Sequence, residues 1–191
     1  MIIICGLART GKSTLAKRLK NVLPSFNLIV SEALRNGFQK IDEQHSKDWG
    51  NKNSQLRQEI FPAFAREFIS WNEKFSKCNT IFDCALLNIE QVINFAKDED
   101  IVLCLGFGGR SNDEILDIIR SYEQNNDYTK NYNNETLIKL WGDISAIDKE
   151  NLALCNKNNI KYFDTSNDRD NCFKTIIEYC LSALQMREDE E

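Results

Sequence analysis

Gly6, Gly11, Lys12 and Ser13 stand at the spacing G-x-x-x-x-G-K-S, in the stretch Gly6-Leu7-Ala8-Arg9-Thr10-Gly11-Lys12-Ser13. The chemistry that spacing can do is polyphosphate binding. Glycine at each end allows backbone angles and close approaches that a Cβ would obstruct, so successive N–H groups from Ala8, Arg9, Thr10 and Gly11 to Thr14 can converge on one anion. Lys12 would reach the β- and γ-phosphates, and the Ser13 hydroxyl would ligate magnesium. Two acids close apolar runs further on: Glu32 follows 26–30, and Asp83 ends 79–83. A carboxylate in such a place can hold a substrate hydroxyl, act as a base, or hold magnesium through water, so Glu32 and Asp83 are the candidate bases and Asp83 the second metal residue beside Ser13. Arg35, Arg57 and Arg66 lie between these acids and could face an acceptor.

These residues need elements to position them. Met1-Ile2-Ile3-Ile4-Cys5 is apolar, β-branched and bounded by glycine, which predicts a buried strand. Residues 12–23 carry Leu15, Ala16, Leu19 and Leu23 at helical spacing, with Lys17, Arg18 and Lys20 outside. Strand, glycine loop and helix is the arrangement that aims backbone N–H groups and a helix N-terminus at a phosphate. Pro24 breaks the pattern, and 26–30 is a second strand whose carboxyl end runs into Ser31 and Glu32, the end at which open α/β sheets bind ligands. A helix is expected over 33–41, a polar loop over 45–54, and a long helix over 55–75 with Leu56, Ile60, Phe64, Phe68 and Trp71 or Ile69 inward and a kink at Pro62.

The pattern then repeats. Strands are expected at 79–83, 101–106 and 160–164, and helices at 88–97, 111–120, 135–158 and 170–186. Ser111 and Glu114 mark a helix start, and 123–134, dense in asparagine and tyrosine, reads as a loop or lid beside the cations Arg110, Arg120 and Lys130. Five strands alternating with helices, each crossing over, predict a parallel sheet sandwiched by helices, a three-layer αβα fold.

Composition narrows the class. The 191 residues suit one domain; 42% are hydrophobic and 28% charged, as in a soluble globular chain. A net charge of −5 disfavours a nucleic-acid partner, which needs a basic face. The seven cysteines form no C-x-x-C pair and only His45 could assist them, so reduced thiols rather than zinc are expected. No run reaches the length of a membrane span and no signal sequence opens the chain, so a cytoplasmic protein without membrane contact is expected, a homodimer being left open.

Missing motifs exclude other owners of the loop. Asn51-Lys52-Asn53-Ser54 and Asn156-Lys157-Asn158-Asn159 lack the aspartate of a guanine-reading N/T-K-x-D, and Asp83 does not open a D-x-x-G. No L-S-G-G-Q signature of transporter ATPases occurs. What remains resembles the nucleoside and nucleotide kinase-like branch of phosphate-loop proteins, adenylate kinase-like small-molecule kinases included. The resemblance is carried by 6–13, by Ile81-Phe82-Asp83, by the segment from Arg110 to Arg120, and by Phe163-Asp164-Thr165-Ser166. It implies ATP and magnesium, a sheet of order 2-3-1-4-5, a core of 1–31, 78–109 and 159–187, an acceptor-binding helical region over 32–77 and a lid over 110–134. It places Arg110, Arg120 and Lys130 on the transferring phosphoryl group and the stretch from Thr165 to Asp168 beside the adenine. Cys84-Ala85-Leu86-Leu87 stands where mononucleotide kinases place an arginine motif, and Arg110 and Arg120 form no R-x-x-x-R.

The expected activity is therefore phosphoryl transfer from ATP to a nucleoside, nucleotide or other small hydroxylated acceptor. The alternative is a nucleotide-binding regulatory or interaction protein with slow or absent hydrolysis.

Overall fold

The computed structural model describes residues 1–40, 47, 49, 51, 53–125 and 127–188. Five strands form a parallel sheet of order β2-β3-β1-β4-β5 in an α/β fold. They are β1 (Ile2–Gly6), β2 (Asn27–Val30), β3 (Thr80–Asp83), β4 (Ile101–Gly106) and β5 (Lys161–Asp164). Strand order and strand positions agree with the sequence reading.

Two compact units are distinguished along the chain. One comprises Met1–Cys5 and Lys12–Leu103, the other Gly6–Gly11 and Cys104–Glu191. The first holds α1 (Lys12–Val22), α2 (Ser31–Gln39), α3 (Phe61–Ser76) and α4 (Ile89–Phe95). Its core is built on Ile2, Ile3, Ile4, Leu15, Ile81 and Phe82, all fully buried. Register aligns the strand ends: Ile4 pairs with Asp83, and Val30 pairs with Asp83 on the other side. The carboxyl end of β3 is thereby level with the end of β2, one residue before α2 begins.

The long helix expected over 55–75 keeps Leu56 and Ile69 of its expected inner face and loses the rest of it. Ile60, Phe64, Phe68 and Trp71 are exposed, while Leu56, Phe61, Ala65 and Ile69 are buried. The cause is a π-helical turn at Leu56–Ile60, in which the Phe61 N–H reaches back to Leu56 O. Pro62 follows and has no N–H to give, and with one residue more in that turn the register of the side chains rotates. Within the expected loop 45–54, Lys47 and Trp49 are helical, and Trp49 is buried edge-on against Phe61 at 5.0 Å. His45 lies outside the described residues.

The second unit holds α5 (Asn112–Ser121), a 3₁₀ turn at Tyr128–Asn131, α6 (Asn134–Trp141), α7 (Ile144–Lys157) and α8 (Arg169–Glu188). Leu7, Phe107, Ile115, Ile119 and Ile144 form one of its clusters. The single helix expected over 135–158 is two. Gly142 adopts φ +80° and Asp143 caps α7 by accepting from Ala146 N, so the chain turns between them and Leu140 is left exposed. Ser111 and Glu114 form the expected capping box of α5. All seven cysteines are free. Among the described residues no helix is long and apolar enough to cross a membrane.

Candidate functional site

The end of β1 and the ends of β2 and β3 put Lys12, Ser13, Glu32 and Asp83 within electrostatic reach of one another in the first unit. Lys12 opens α1 and is buried. Burial lowers its pKa, and the nearby acids Asp83 and Glu32 and the thiols of Cys5 and Cys84 push it back up. Asp83 is fully buried. Desolvation raises its pKa, Glu32 raises it further, and the Ser13 hydroxyl, Lys12 and Lys17 pull it down.

The Ser13 hydroxyl acts on Asp83, yet neither carboxylate oxygen has a partner within hydrogen-bond distance. Asp83 is a buried acceptor pair beside a hydroxyl and an ammonium, an arrangement that costs stability unless something binds there.

Glu32 is held from below. Ser31 Oγ donates to Glu32 Oε2 at 3.0 Å and accepts from Ala85 N at 2.9 Å, so the first turn of α2 is tied to the segment after β3. Cys84 is fully buried directly after Asp83, and burial pushes its thiol up to about 12. It is a packing residue and no nucleophile.

In the second unit the Gly6–Gly11 stretch is closely fitted. A Cβ on Gly6 would stand 2.0 Å from Leu105 O, and one on Gly11 would stand 2.7 Å from the Phe173 ring; both glycines have positive φ. Thr10 is buried and its hydroxyl donates to Leu7 O at 2.9 Å, closing the turn from within. Ala8 is exposed, as are Ser13 and Thr14 in the first unit. Arg9 has φ +67°, and its guanidinium forms a bidentate pair with Asp127, whose pKa it holds below the usual carboxylate range.

The other expected residues divide between roles. Arg110 donates to Asn167 Oδ1 at 3.1 Å and lies 3.8 Å from Asp164 Oδ2, with its Nε buried and unpartnered. Thr165 is buried and its hydroxyl donates to Gly106 O at 3.1 Å, while Asp168 accepts from Asn171 N at the start of α8. Arg120 is engaged in its own loop: it pairs with Glu123 at 2.6 Å and donates to Thr129 O, Tyr132 O and Asn134 Oδ1. Lys130 donates to Asn125 Oδ1 at 3.3 Å.

In the first unit Arg35 and Arg57 approach one another, Arg57 lying over the Trp49 ring at 5.6 Å. Arg66 stands at the amino end of β1, 3.3 Å from Asp100, which also takes the Met1 ammonium at 3.1 Å. The fold therefore brings Lys12, Ser13, Glu32 and Asp83 together and pairs Arg66 elsewhere, with Asp100.

Three side chains escaped the sequence reading. Asp148 is fully buried and accepts from Phe107 N, from Gly109 N at 2.7 Å and from Tyr162 Oη at 2.8 Å. It fixes the turn that carries Arg110. Asp127 and Arg169 stand beside the loop without any motif to announce them. The only advance signal for Arg169 was its place just after a strand–turn at the sheet's carboxyl end.

The fold has counterparts among solved structures. A gluconokinase from Sinorhizobium meliloti 1021 superposes with a TM-score of 0.55 at 13% identity, over 99% of this chain and 93% of that one. A deoxyadenosine kinase from M. mycoides, solved with dCMP and dCDP bound, gives 0.48 at 16% identity over 95% of this chain and 100% of that one. No family model matches the sequence, and no curated protein is similar to it in sequence. The chain shares its fold with the gluconokinase.

Proposed function

We propose that this protein is an ATP-dependent small-molecule kinase, transferring the γ-phosphate to a nucleoside, nucleotide or other small hydroxylated acceptor. The observation that carries the reading is Asp83, a buried carboxylate whose two oxygens have no hydrogen-bond partner, set beside a buried lysine and a serine hydroxyl at the carboxyl ends of neighbouring strands. The fold shared with a gluconokinase supports phosphoryl transfer at the level of architecture.

The residues fit magnesium. Among the described residues no group of three or more His, Cys, Asp or Glu side chains could hold a metal. Magnesium needs no such cage, because it keeps several waters and takes one or two protein oxygens plus phosphate. Ser13 and Asp83 would hold it, and when bound it neutralises charge on the phosphates. The backbone N–H groups from Ala8 to Thr14 cradle the polyphosphate, and Lys12 bridges its outer phosphates. Glu32, oriented by Ser31, accepts the proton of an acceptor hydroxyl, and Arg35 and Arg57 hold the acceptor in line. Arg110 supplies the mobile positive charge, and the 165–168 turn lies by the base. In this scheme 32–77 is the acceptor region and 110–134 the lid.

One observation favours a nucleotide-binding regulator instead: Arg120, expected on the phosphates, is spent on its own loop. ADP production measured against a panel of nucleosides, nucleotides, sugars and antibiotics separates the two. Acceptor-dependent turnover that Lys12→Ala abolishes supports the kinase. ATP binding with no turnover for any acceptor refutes it in favour of the regulator.

A further inference from the structure

Arg9 is a non-glycine residue at φ +67° in the middle of the glycine loop, a conformation that side chains with a Cβ rarely adopt and that needs a reason to persist. Its guanidinium is held bidentately by Asp127, whose Oδ2 also accepts from Gln124 N at 2.7 Å. Arg169 lies on the same loop: its Cδ is 3.4 Å from where a Cβ on Gly11 would stand. The Arg169 guanidinium stacks on Tyr122 at 3.7 Å, and the Tyr122 hydroxyl donates to Asn167 O at 2.8 Å. Stacking uses the face of the guanidinium and leaves its N–H edge, and the Arg169 Nε and Nη2 atoms are buried without a hydrogen-bond partner. Arg9 is close enough to lower the Arg169 pKa, after burial itself, while Asp170 and Cys172 raise it. Two guanidiniums thus adjoin one loop with one carboxylate in bidentate contact, and the neighbouring Glu123 is taken by Arg120 at 2.6 Å.

We propose that Arg9 and Arg169 form a two-arginine anion site at the Gly6–Gly11 loop, and that the Asp127 carboxylate occupies it as a resident competitor for a phosphate group of the nucleotide. The inference rests on reading the loop as a phosphate cradle. Carboxylate and phosphate present the same two-oxygen edge to an arginine fork, and phosphate carries more charge. Entry of a phosphate displaces Asp127, which gives up both its Arg9 contacts and its bond to Gln124 N. Nucleotide occupancy and the order of the 127–132 stretch are thereby coupled: each state of the loop favours one state of the segment.

The test is calorimetric titration of the full chain at fixed ionic strength, with magnesium–ATP and, separately, with inorganic tripolyphosphate. Asp127→Asn removes the competing charge and is expected to bind both about tenfold more tightly, or about 1.4 kcal/mol. Arg169→Gln with Asp127 intact is expected to weaken both about tenfold. Amide hydrogen exchange over 127–132 is expected to quicken when the wild type binds ATP, and to be fast already in ligand-free Asp127→Asn. Asp127→Asn with a lower melting temperature and equal or weaker binding makes the pair a structural staple and overturns the inference, the kinase reading surviving. A wild type that binds neither ATP nor tripolyphosphate overturns both.

Discussion

Asp148 offers the sharpest test of how the turn bearing Arg110 is held. Its carboxylate takes the Phe107 and Gly109 N–H groups and the Tyr162 hydroxyl, and Tyr162 Oη in turn accepts from Gly108 N at 2.9 Å. Gly108 and Gly109 both have positive φ, so successive N–H groups form a concave nest around one carboxylate. The Tyr162 pKa is raised, first by burial and then by Asp148, so the hydroxyl stays a donor throughout the ordinary pH range. Asp148→Ala strands three donors. Each buried orphan costs about 1–3 kcal/mol, and because they share one acceptor and part of the turn can open to water, the total expected is about 3–5 kcal/mol. For a chain of this size about 2–4 °C accompanies each kcal/mol, so the melting temperature is expected to fall by about 6–20 °C. Asp148→Asn keeps one acceptor and is expected to lose about half as much, and Tyr162→Phe about 1–2 kcal/mol. Differential scanning fluorimetry with urea unfolding reads all three. A fall under about 2 °C for Asp148→Ala would refute the claim that this carboxylate organises the turn.

Other outcomes can be stated more briefly. Lys12→Ala is expected to lower kcat about 10²–10³-fold for any acceptor that turns over, read as ADP release; an active variant sinks the proposed phosphate contact. Asp83 has a raised folded pKa, so the folded state holds its proton more tightly than the unfolded chain does. Its contribution therefore favours the fold below the ordinary aspartate value of 3.8 and is lost as pH rises through the raised pKa. With Lys12, Lys17 and Glu32 facing the group unchanged, ligand-free wild type should lose stability relative to Asp83→Asn as pH rises from about 4; a pH-independent difference in urea unfolding contradicts this. Arg66→Met breaks the 3.3 Å pair with Asp100 and the contact over the Phe95 ring at 5.3 Å. It should cost about 0.5–1 kcal/mol and leave acceptor KM unchanged, and a large rise in KM would return Arg66 to the acceptor site.

How much of this was legible beforehand depended on the range of the interactions. The strands were legible because each is a local apolar run between breakers, and Gly6 to Ser13 was legible because its chemistry is contiguous. Glu32 and Asp83 could be named as the ends of such runs, but only the parallel register, with Asp83 paired to both Ile4 and Val30, makes them neighbours of Lys12. Helix faces were less secure. Periodicity assumes 3.6 residues per turn throughout, and one π turn before Pro62 moved Ile60, Phe64 and Phe68 from the expected interior to the surface, while of the alternatives Trp71 and Ile69 it is Ile69 that is buried. One glycine at 142 likewise divided a continuous apolar pattern into two helices.

By itself, then, the sequence determined a phosphate loop after a buried strand, an α/β chain with parallel strands, and the acids that close its strands. Tertiary structure decided which charges are used up and which are left over. Arg66 and Arg120 were as plausible as any arginine, but an ion pair is a contact between residues 34 positions apart in the first case and a loop closure in the second, and spacing carries no record of either. The same holds in reverse for Asp127, Asp148 and Arg169, ordinary in sequence. Their partners, Arg9, the turn after β4 and Tyr122, reach them only when the chain has folded, because burial and long-range pairing, not residue type, set what a charged group can do.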